Sequence, residues 1–197
     1  MGDEGDFIWH GGKRYARVSN VIKRYNNFGE APPERLENKK IIGTIVHEAI
    51  DEDLHGELPP NLLPSCVGYF NSYRKWKEIN KPRIVENETR YFNDDLMITG
   101  RIDLLAILPY ETVPVLIDWK TSASESPTWI LQSHLYGHLI AGAGKMVANR
   151  YLFIKLCPLG SKPRVFTYDY SEKTHSFSIS CVKKYWEEIN NDCPKLS

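Results

Sequence analysis

Apolar residues recur along this chain with two periods, and the change of period divides it. Phe7 to Trp9 and Arg14 to Arg17, around the turn His10-Gly11-Gly12-Lys13, read as a short hairpin. Ser19 is placed to cap a short helix through Val21, Ile22 and Tyr25. Pro32-Pro33 then opens a longer helix to about Leu54, where Leu36, Ile41, Ile42, Ile45, Val46, Ala49 and Ile50 fall at helical spacing. Gly56 supplies its stop. Ser65 is the expected cap of a further helix, Cys66 to about Ile79, with Val67, Phe70, Trp76 and Ile79 facing the core.

Beyond Pro82 the pattern shortens to that of strands. Ile84–Phe92 and Leu96–Leu108 flank the turn Asn93-Asp94-Asp95, and Val115–Trp119 is a third, strongly apolar strand. Pro127 begins a helix to about Ala143, Asn149–Leu156 and Arg164–Tyr170 are two more strands, and Glu172 to Asn190 is a final helix carrying Val182, Tyr185, Trp186 and Ile189 inward. The expected fold is α/β, a mixed central sheet flanked by helices. It is read as a single domain over 1–197: a mostly helical part to 82, a sheet core with a crossover helix over 83–170, and a C-terminal helix over 171–197.

Composition narrows the class. A hydrophobic fraction of 42% and a mean hydropathy of −0.42 suit a soluble chain, and no apolar run approaches a membrane span. The polar start, Met1 to Asp6, has no secretory pattern, so an intracellular, cytoplasmic protein without membrane contact is expected. Cys66, Cys157, Cys181 and Cys193 are widely spaced and read as free thiols, some of them in the core. A net charge of +0 excludes binding of nucleic acid by bulk charge alone. Local clusters remain: Lys13 to Arg24 holds five basic residues (Lys13, Arg14, Arg17, Lys23, Arg24) and no acidic one, and Arg74, Lys75, Lys77, Lys81 and Arg83 interleave with Tyr69, Phe70, Tyr73 and Trp76. Cations beside aromatics suit a single-stranded nucleic-acid path, although either cluster alone is more simply a solvated helix face.

Two strands carry the chemistry. Asp103 stands in Thr99-Gly100-Arg101-Ile102-Asp103-Leu104, and Asp118 in Val115-Leu116-Ile117-Asp118-Trp119-Lys120. A carboxylate inside an apolar strand is costly unless it is paired or bound to a cation. Asp118 and Lys120, two apart, share a face, and a meander brings Asp103 beside them. Two carboxylates suit a hard divalent cation, and an ammonium beside it can orient water or neutralise developing phosphate charge. For the Asp-x-Lys tripeptide by itself, a buried ion pair that fixes strand register is the simpler explanation. Further residues shift the balance. His47 on the long helix is a candidate ligand, Glu88 on the preceding strand is a supporting carboxylate, and Arg101 is a candidate substrate contact. Gln132 and Tyr136 are four apart on one helical face, able to position a scissile strand. His134 and His138 share that spacing but lack a third ligand, so a surface or core-edge role is expected.

The ordered set His47, Glu88, Gly100-x-x-Asp103, Asp118-Trp119-Lys120 and Gln132-x-x-x-Tyr136 resembles the PD-(D/E)XK nuclease superfamily. It is most similar to the RecB-like exonuclease branch, with its small phage-encoded and mitochondrial-genome-maintenance members. The resemblance covers about 41–156, and Tyr15 to Ile22 is similar to the lead-in segment of phage members. It implies a restriction-endonuclease-like core and a Mg²⁺ or Mn²⁺ site at His47, Asp103, Asp118 and the Trp119 carbonyl. Asp103, Asp118 and Lys120 become catalytic, and Gln132 and Tyr136 lie along the DNA backbone. The implied reaction is in-line hydrolysis of DNA ends or single strands to 5′-phosphates. The cysteine spacing departs from that of iron–sulfur members, so no cluster is expected. There is no G-x-x-x-x-G-K-[ST] loop either, so unwinding would fall to a helicase or recombination partner. A structure-specific endonuclease and a catalytically silent nucleic-acid-binding module are the alternatives. A phage source and a role in DNA repair or recombination are further expectations.

Overall fold

The computed structural model describes residues 7–25, 33–57, 61–146 and 149–191. Strands β1 (Phe7–His10) and β2 (Lys13–Arg17) form the expected hairpin, closed by Gly11 and Gly12 at positive φ. Then follow α1 (Val18–Lys23), α2 (Pro33–His55) and α3 (Pro64–Asn80). Strands β3 (Arg83–Asn93), β4 (Ile98–Ile107) and β5 (Val115–Lys120) make the antiparallel meander. Helix α4 (Trp129–Gly142) crosses over to β6 (Arg150–Lys155), parallel to β5; β7 (Arg164–Asp169) and α5 (Glu172–Asn191) complete the order. Among the described residues no helix is long and apolar enough to cross a membrane.

Two helix starts differ from expectation. Ser19 lies inside α1, whose N-cap is Arg17, and Ser65 lies inside α3, which begins at Pro64 after Leu63. Proline at the first helical position needs no partner for its missing N–H and has φ already set, so it displaces the serine as the starting residue. Pro32 lies outside the described residues, and α2 begins at Pro33.

The sheet order is β1-β2-β4-β5-β6-β7, with β3 paired to β4. Strand β4 carries β3 along its length on one edge. On the other it pairs in succession with β2, in parallel at Ile98–Thr99, and with β5 at Leu104–Ala106. That division leaves β4 unpaired on one side around Arg101–Asp103, between β2 and β5.

A core lies on each face. One packs α4, α5 and α1 against Ile98, Ile102, Leu116 and Phe153. The other packs α2 and α3 against Leu104, Ala106, Ile117 and Trp119. The inward alternation of β4 therefore shifts between Ile102 and Leu104, at Asp103. Glu88, between Asn87 and Thr89, which pair with Leu104 and Ile102, has φ 47, a left-handed conformation rare for a residue with a side chain.

The aromatic stripe of α3 belongs to the second core. Phe70, Tyr73 and Trp76 are buried, Tyr73 and Trp76 edge-on to Trp119, so they are no base-stacking platform. Val67 and Ile79, expected in the core, are exposed at 41% and 56%, as is Ile41 at 44%. Cys66, Cys157 and Cys181 are free thiols, the first and last buried. Cys193 and the side chain of Leu36 lie outside the described residues.

Candidate active site

Strand β5 ends with Asp118 and Lys120 turned toward α4, because residues two apart share a face. Asp118 is only 2% exposed. Its Oδ2 lies 2.5 Å from Lys120 Nζ, and its Oδ1 accepts from Gln132 Nε2 at 3.1 Å. The same Gln132 accepts from Lys120 Nζ at 3.0 Å and donates to the Tyr136 hydroxyl at 2.9 Å. The ammonium sits 4.9 Å from the Phe153 ring centroid, so its alkyl stem is walled by apolar surface. Gln132 thus clamps the acid and the base of β5 from one turn of α4.

A second group lies across Trp119. Its N–H donates to Asp103 Oδ2 at 2.8 Å, and its carbonyl accepts from His47 Nε2 at 3.1 Å. His47 Nδ1 is 3.5 Å from Asp103 Oδ2 and 3.8 Å from Glu88 Oε1. One ligand atom each from His47, Glu88 and Asp103 falls within 4.8 Å of the others, spacing that suits a shared cation. Arg101 Nε lies 2.7 Å from Glu88 Oε2. A polar cavity of about 280 Å³ opens here, lined by His47, Glu88, Arg101 and the Gly43–Thr44 turn of α2. A larger, more apolar cavity of about 510 Å³ beside Leu96 and Trp186 has none of these ligands.

The electrostatics bear on whether a cation fits. Burial lowers the His47 imidazole, but the Asp103 charge and hydrogen bonds to Asp103 and Glu88 outweigh it and push its pKa up to about 10. Burial raises Asp103, yet the His47 charge beside it wins and holds it below the carboxylate range. Asp118 goes the other way, up to about 6, because burial and Asp103 together outweigh Lys120. Burial, with the charges of Asp118 and Asp103, places Tyr136 well above the phenol range. Two buried oxygens, Glu88 Oε2 and Asp118 Oδ2, take no hydrogen bond although charged groups stand beside them. One carboxylate oxygen each from Glu88 and Asp103, gathered with the His47 imidazole beside the Trp119 carbonyl, make a donor set that a divalent cation fits.

The structure thus brings His47, Glu88, Asp103 and the Trp119 carbonyl together, and beside them Asp118, Lys120, Gln132 and Tyr136. Glu88 stands closer to the ligand group than its supporting role in the sequence reading implied. His134 and His138 lie elsewhere, and they are buried at 1% and 7% exposure, not at a surface. His138 donates to Ser178 of α5 at 2.9 Å, so the pair locks α4 to α5. Two glycines, Gly100 of the quoted Gly100-x-x-Asp103 motif and Gly43, face neighbouring elements in a way that the sequence did not show. A Cβ on Gly100 would lie 2.9 Å from Tyr136 and Leu139, and one on Gly43 would lie 3.4 Å from Thr121 Oγ1. Gly100 lets α4 approach the strand that carries Asp103, whereas at Gly43 a side chain would meet only ordinary contact. The available signal was a glycine inside a helix or strand, which costs about 0.5–1 kcal/mol relative to alanine and so calls for a packing reason.

A family model described as the PD-(D/E)XK nuclease superfamily matches residues 61–193, most of the chain. The chain belongs to this superfamily. The match includes Glu88, Asp103, Asp118, Lys120, Gln132 and Tyr136 but begins after His47. A search of curated proteins by sequence gives no match. Among solved structures, an alkaline exonuclease from Laribacter hongkongensis, LHK-Exo, superposes with a TM-score of 0.51 at 11% identity, covering 90% of this chain and 89% of that one. LHK-Exo in complex with dAMP gives 0.50 at 12% identity, covering 89% and 88%. At such identities the likeness is one of fold.

Proposed function

We propose that this chain is a Mg²⁺- or Mn²⁺-dependent deoxyribonuclease, an exonuclease that hydrolyses phosphodiester bonds at DNA ends or in single strands and leaves 5′-phosphates. The observation that carries this reading is the convergence of the His47, Glu88 and Asp103 ligand atoms with the Asp118–Lys120–Gln132 clamp, on either side of one strand residue. In it, His47, Asp103, Asp118 and the Trp119 carbonyl hold the cation, with Glu88 completing or supporting the set. The cation would polarise the scissile phosphate and lower the pKa of its water.

The chain's own groups do the rest. Gln132 and Asp118 fix the Lys120 ammonium where it can orient the attacking water and offset charge developing on the phosphate. Lys120 donates through hydrogens whose directions the clamp sets, so little reorganisation is needed at the moment of attack. Tyr136, held neutral and hydrogen-bonded by Gln132, is placed to donate to a phosphate oxygen. Arg101 at the cavity mouth contacts the same strand. The exonuclease choice rests on the motif kinship with the RecB-like branch, and the alkaline exonuclease of the same fold agrees with it. An intracellular setting, with a helicase or recombination partner, fits that activity.

The test incubates the protein with end-labelled single- and double-stranded DNA in Mg²⁺, Mn²⁺, Ca²⁺ or EDTA, beside Lys120→Ala. Progressive loss from one end in Mg²⁺ or Mn²⁺, absent in EDTA and in the variant, is the expected result. Discrete internal cuts would make it an endonuclease. No cleavage with any cation, together with calorimetry showing no Mn²⁺ binding, would leave a nucleic-acid-binding or structural module.

A further inference from the structure

Next to the carboxylates, three strands each contribute an arginine to one place. Arg90 of β3 and Arg101 of β4 are direct cross-strand partners. Arg17, at the end of β2, pairs with Thr99, two residues from Arg101 on the same strand. Like charges set directly opposite each other on neighbouring strands are unfavourable. Proteins ordinarily relieve such a group with carboxylates, and here only one is supplied: Glu88, beside Arg101 at 2.7 Å. Arg17 and Arg90 have no acidic partner among the described residues, and Arg17 Nε is buried without a hydrogen bond. Burial and the charges of Arg17 and Arg101 lower the Arg90 guanidinium from its ordinary value. Arg101 pairs with Glu88 and lines the polar cavity with it and His47, so the cluster is continuous with the candidate site.

Three guanidinium groups beside the site with one carboxylate among them, that of Glu88 on Arg101, are arranged for a further anion. Neighbouring strands stand about 4.8 Å apart, close enough for forks from adjacent strands to share one tetrahedral oxyanion. Arginine also suits phosphate through paired N–H donors, which a lysine cannot present. We propose that Arg17, Arg90 and Arg101 form a phosphate-binding subsite that holds a phosphate of the substrate strand adjacent to the scissile one. The subsite rests on the nuclease reading for its substrate, and its function is to position the strand. Losing it therefore raises KM more than it lowers kcat.

The test measures DNA binding by fluorescence anisotropy on a Lys120→Ala background, in Mg²⁺, across a range of salt. Arg17→Gln and Arg90→Gln are each expected to weaken binding about tenfold at low salt and to reduce the salt slope by about one. Arg90→Lys is expected to recover the slope and only part of the affinity. Inorganic phosphate should displace DNA from the parent more readily than from the Arg17→Gln/Arg90→Gln double variant. Strands with and without a terminal phosphate separate the two sources of the anion. A loss confined to phosphorylated ends assigns a terminal phosphate, and an equal loss on both assigns an internal phosphodiester; each supports the subsite. Because repulsion is relieved, Arg90→Gln should melt no lower than the parent. Unchanged affinity and salt slope in both glutamine variants overturns the subsite, and so does a lowered Tm with binding unaltered. If the wild type cleaves no DNA with any cation while the variants still bind weakly, the nuclease reading falls and the subsite stands.

Discussion

Gln132 is the residue on which the candidate site turns, because one amide touches Asp118, Lys120 and Tyr136 at once. Gln132→Ala leaves the Lys120 ammonium steered by Asp118 alone, so its donors are no longer aimed. The expected result is a fall in kcat of about 10²-fold with KM changed less, read from single-turnover rates at saturating DNA. An unchanged kcat would show that Asp118 alone orients the lysine. His138, on the same helix but behind the site, makes a different prediction. Burial and the neighbouring His175 lower its pKa from 6.5 to about 4. The unfolded chain therefore takes up this proton at higher pH than the folded one. Stability from the neutral imidazole is complete above pH 6.5 and drains as pH falls toward 4, by roughly 2 kcal/mol after discounting for solvent screening. Urea unfolding in EDTA at pH 7 and pH 5 checks it. His138→Gln, which keeps a donor for Ser178 without a titrating group, should lose less stability between the two pH values than the wild type.

At the scale of elements, the contact of α4 with β4 decides whether the clamp of Gln132 reaches the acids. Gly100 makes that contact close, since its missing Cβ would sit 2.9 Å from Tyr136 and Leu139. Gly100→Ala is expected to cost about 1–3 kcal/mol through overpacking and to depress kcat as α4 is pushed outward. Gly68→Ala is the control. Its Cβ would lie 1.7 Å from the Pro158 carbonyl oxygen, on α3 and away from the carboxylates. It should destabilise at least as much in urea while leaving kcat of the folded fraction intact; equal losses of kcat in both would deny α4 its positioning role. The elements themselves were legible because β-branched and aromatic runs alternate with turns, and strands β3 to β7 fall within a few residues of expectation. What the pattern misjudged was which apolar positions face inward. Val67 and Ile79 follow the period of α3 but lie off its contact with the sheet, whereas Phe70, Tyr73 and Trp76 pack on Trp119. Period reports a face, and only the partner decides how wide that face is buried.

For the molecule as a whole, the candidate site is assembled from pieces far apart in sequence. His47 comes from α2, Glu88 and Asp103 from the meander, Asp118 and Lys120 from β5, and Gln132 from α4. The sequence named these residues through their chemistry and order. It did not show that β2 runs parallel to β4, and so it missed the meeting of Arg17 with Arg90 and Arg101; long-range pairings leave no local period. The same assembly predicts how a cation affects stability. A ligand that binds only where α2, β4 and β5 have come together binds the folded state alone, and at a hundred times its Kd it adds about 2.7 kcal/mol. Mn²⁺ should therefore raise Tm in a concentration-dependent way, and EDTA should reverse the rise. Asp103→Asn should abolish the shift, since it removes charge from the ligand group of His47, Glu88 and Asp103. Lys120→Ala should retain it, because the lysine is not a ligand. A Tm that ignores Mn²⁺ in the wild type would mean that no cation joins these elements. A shift surviving in Asp103→Asn would place the cation elsewhere, away from the imidazole of α2.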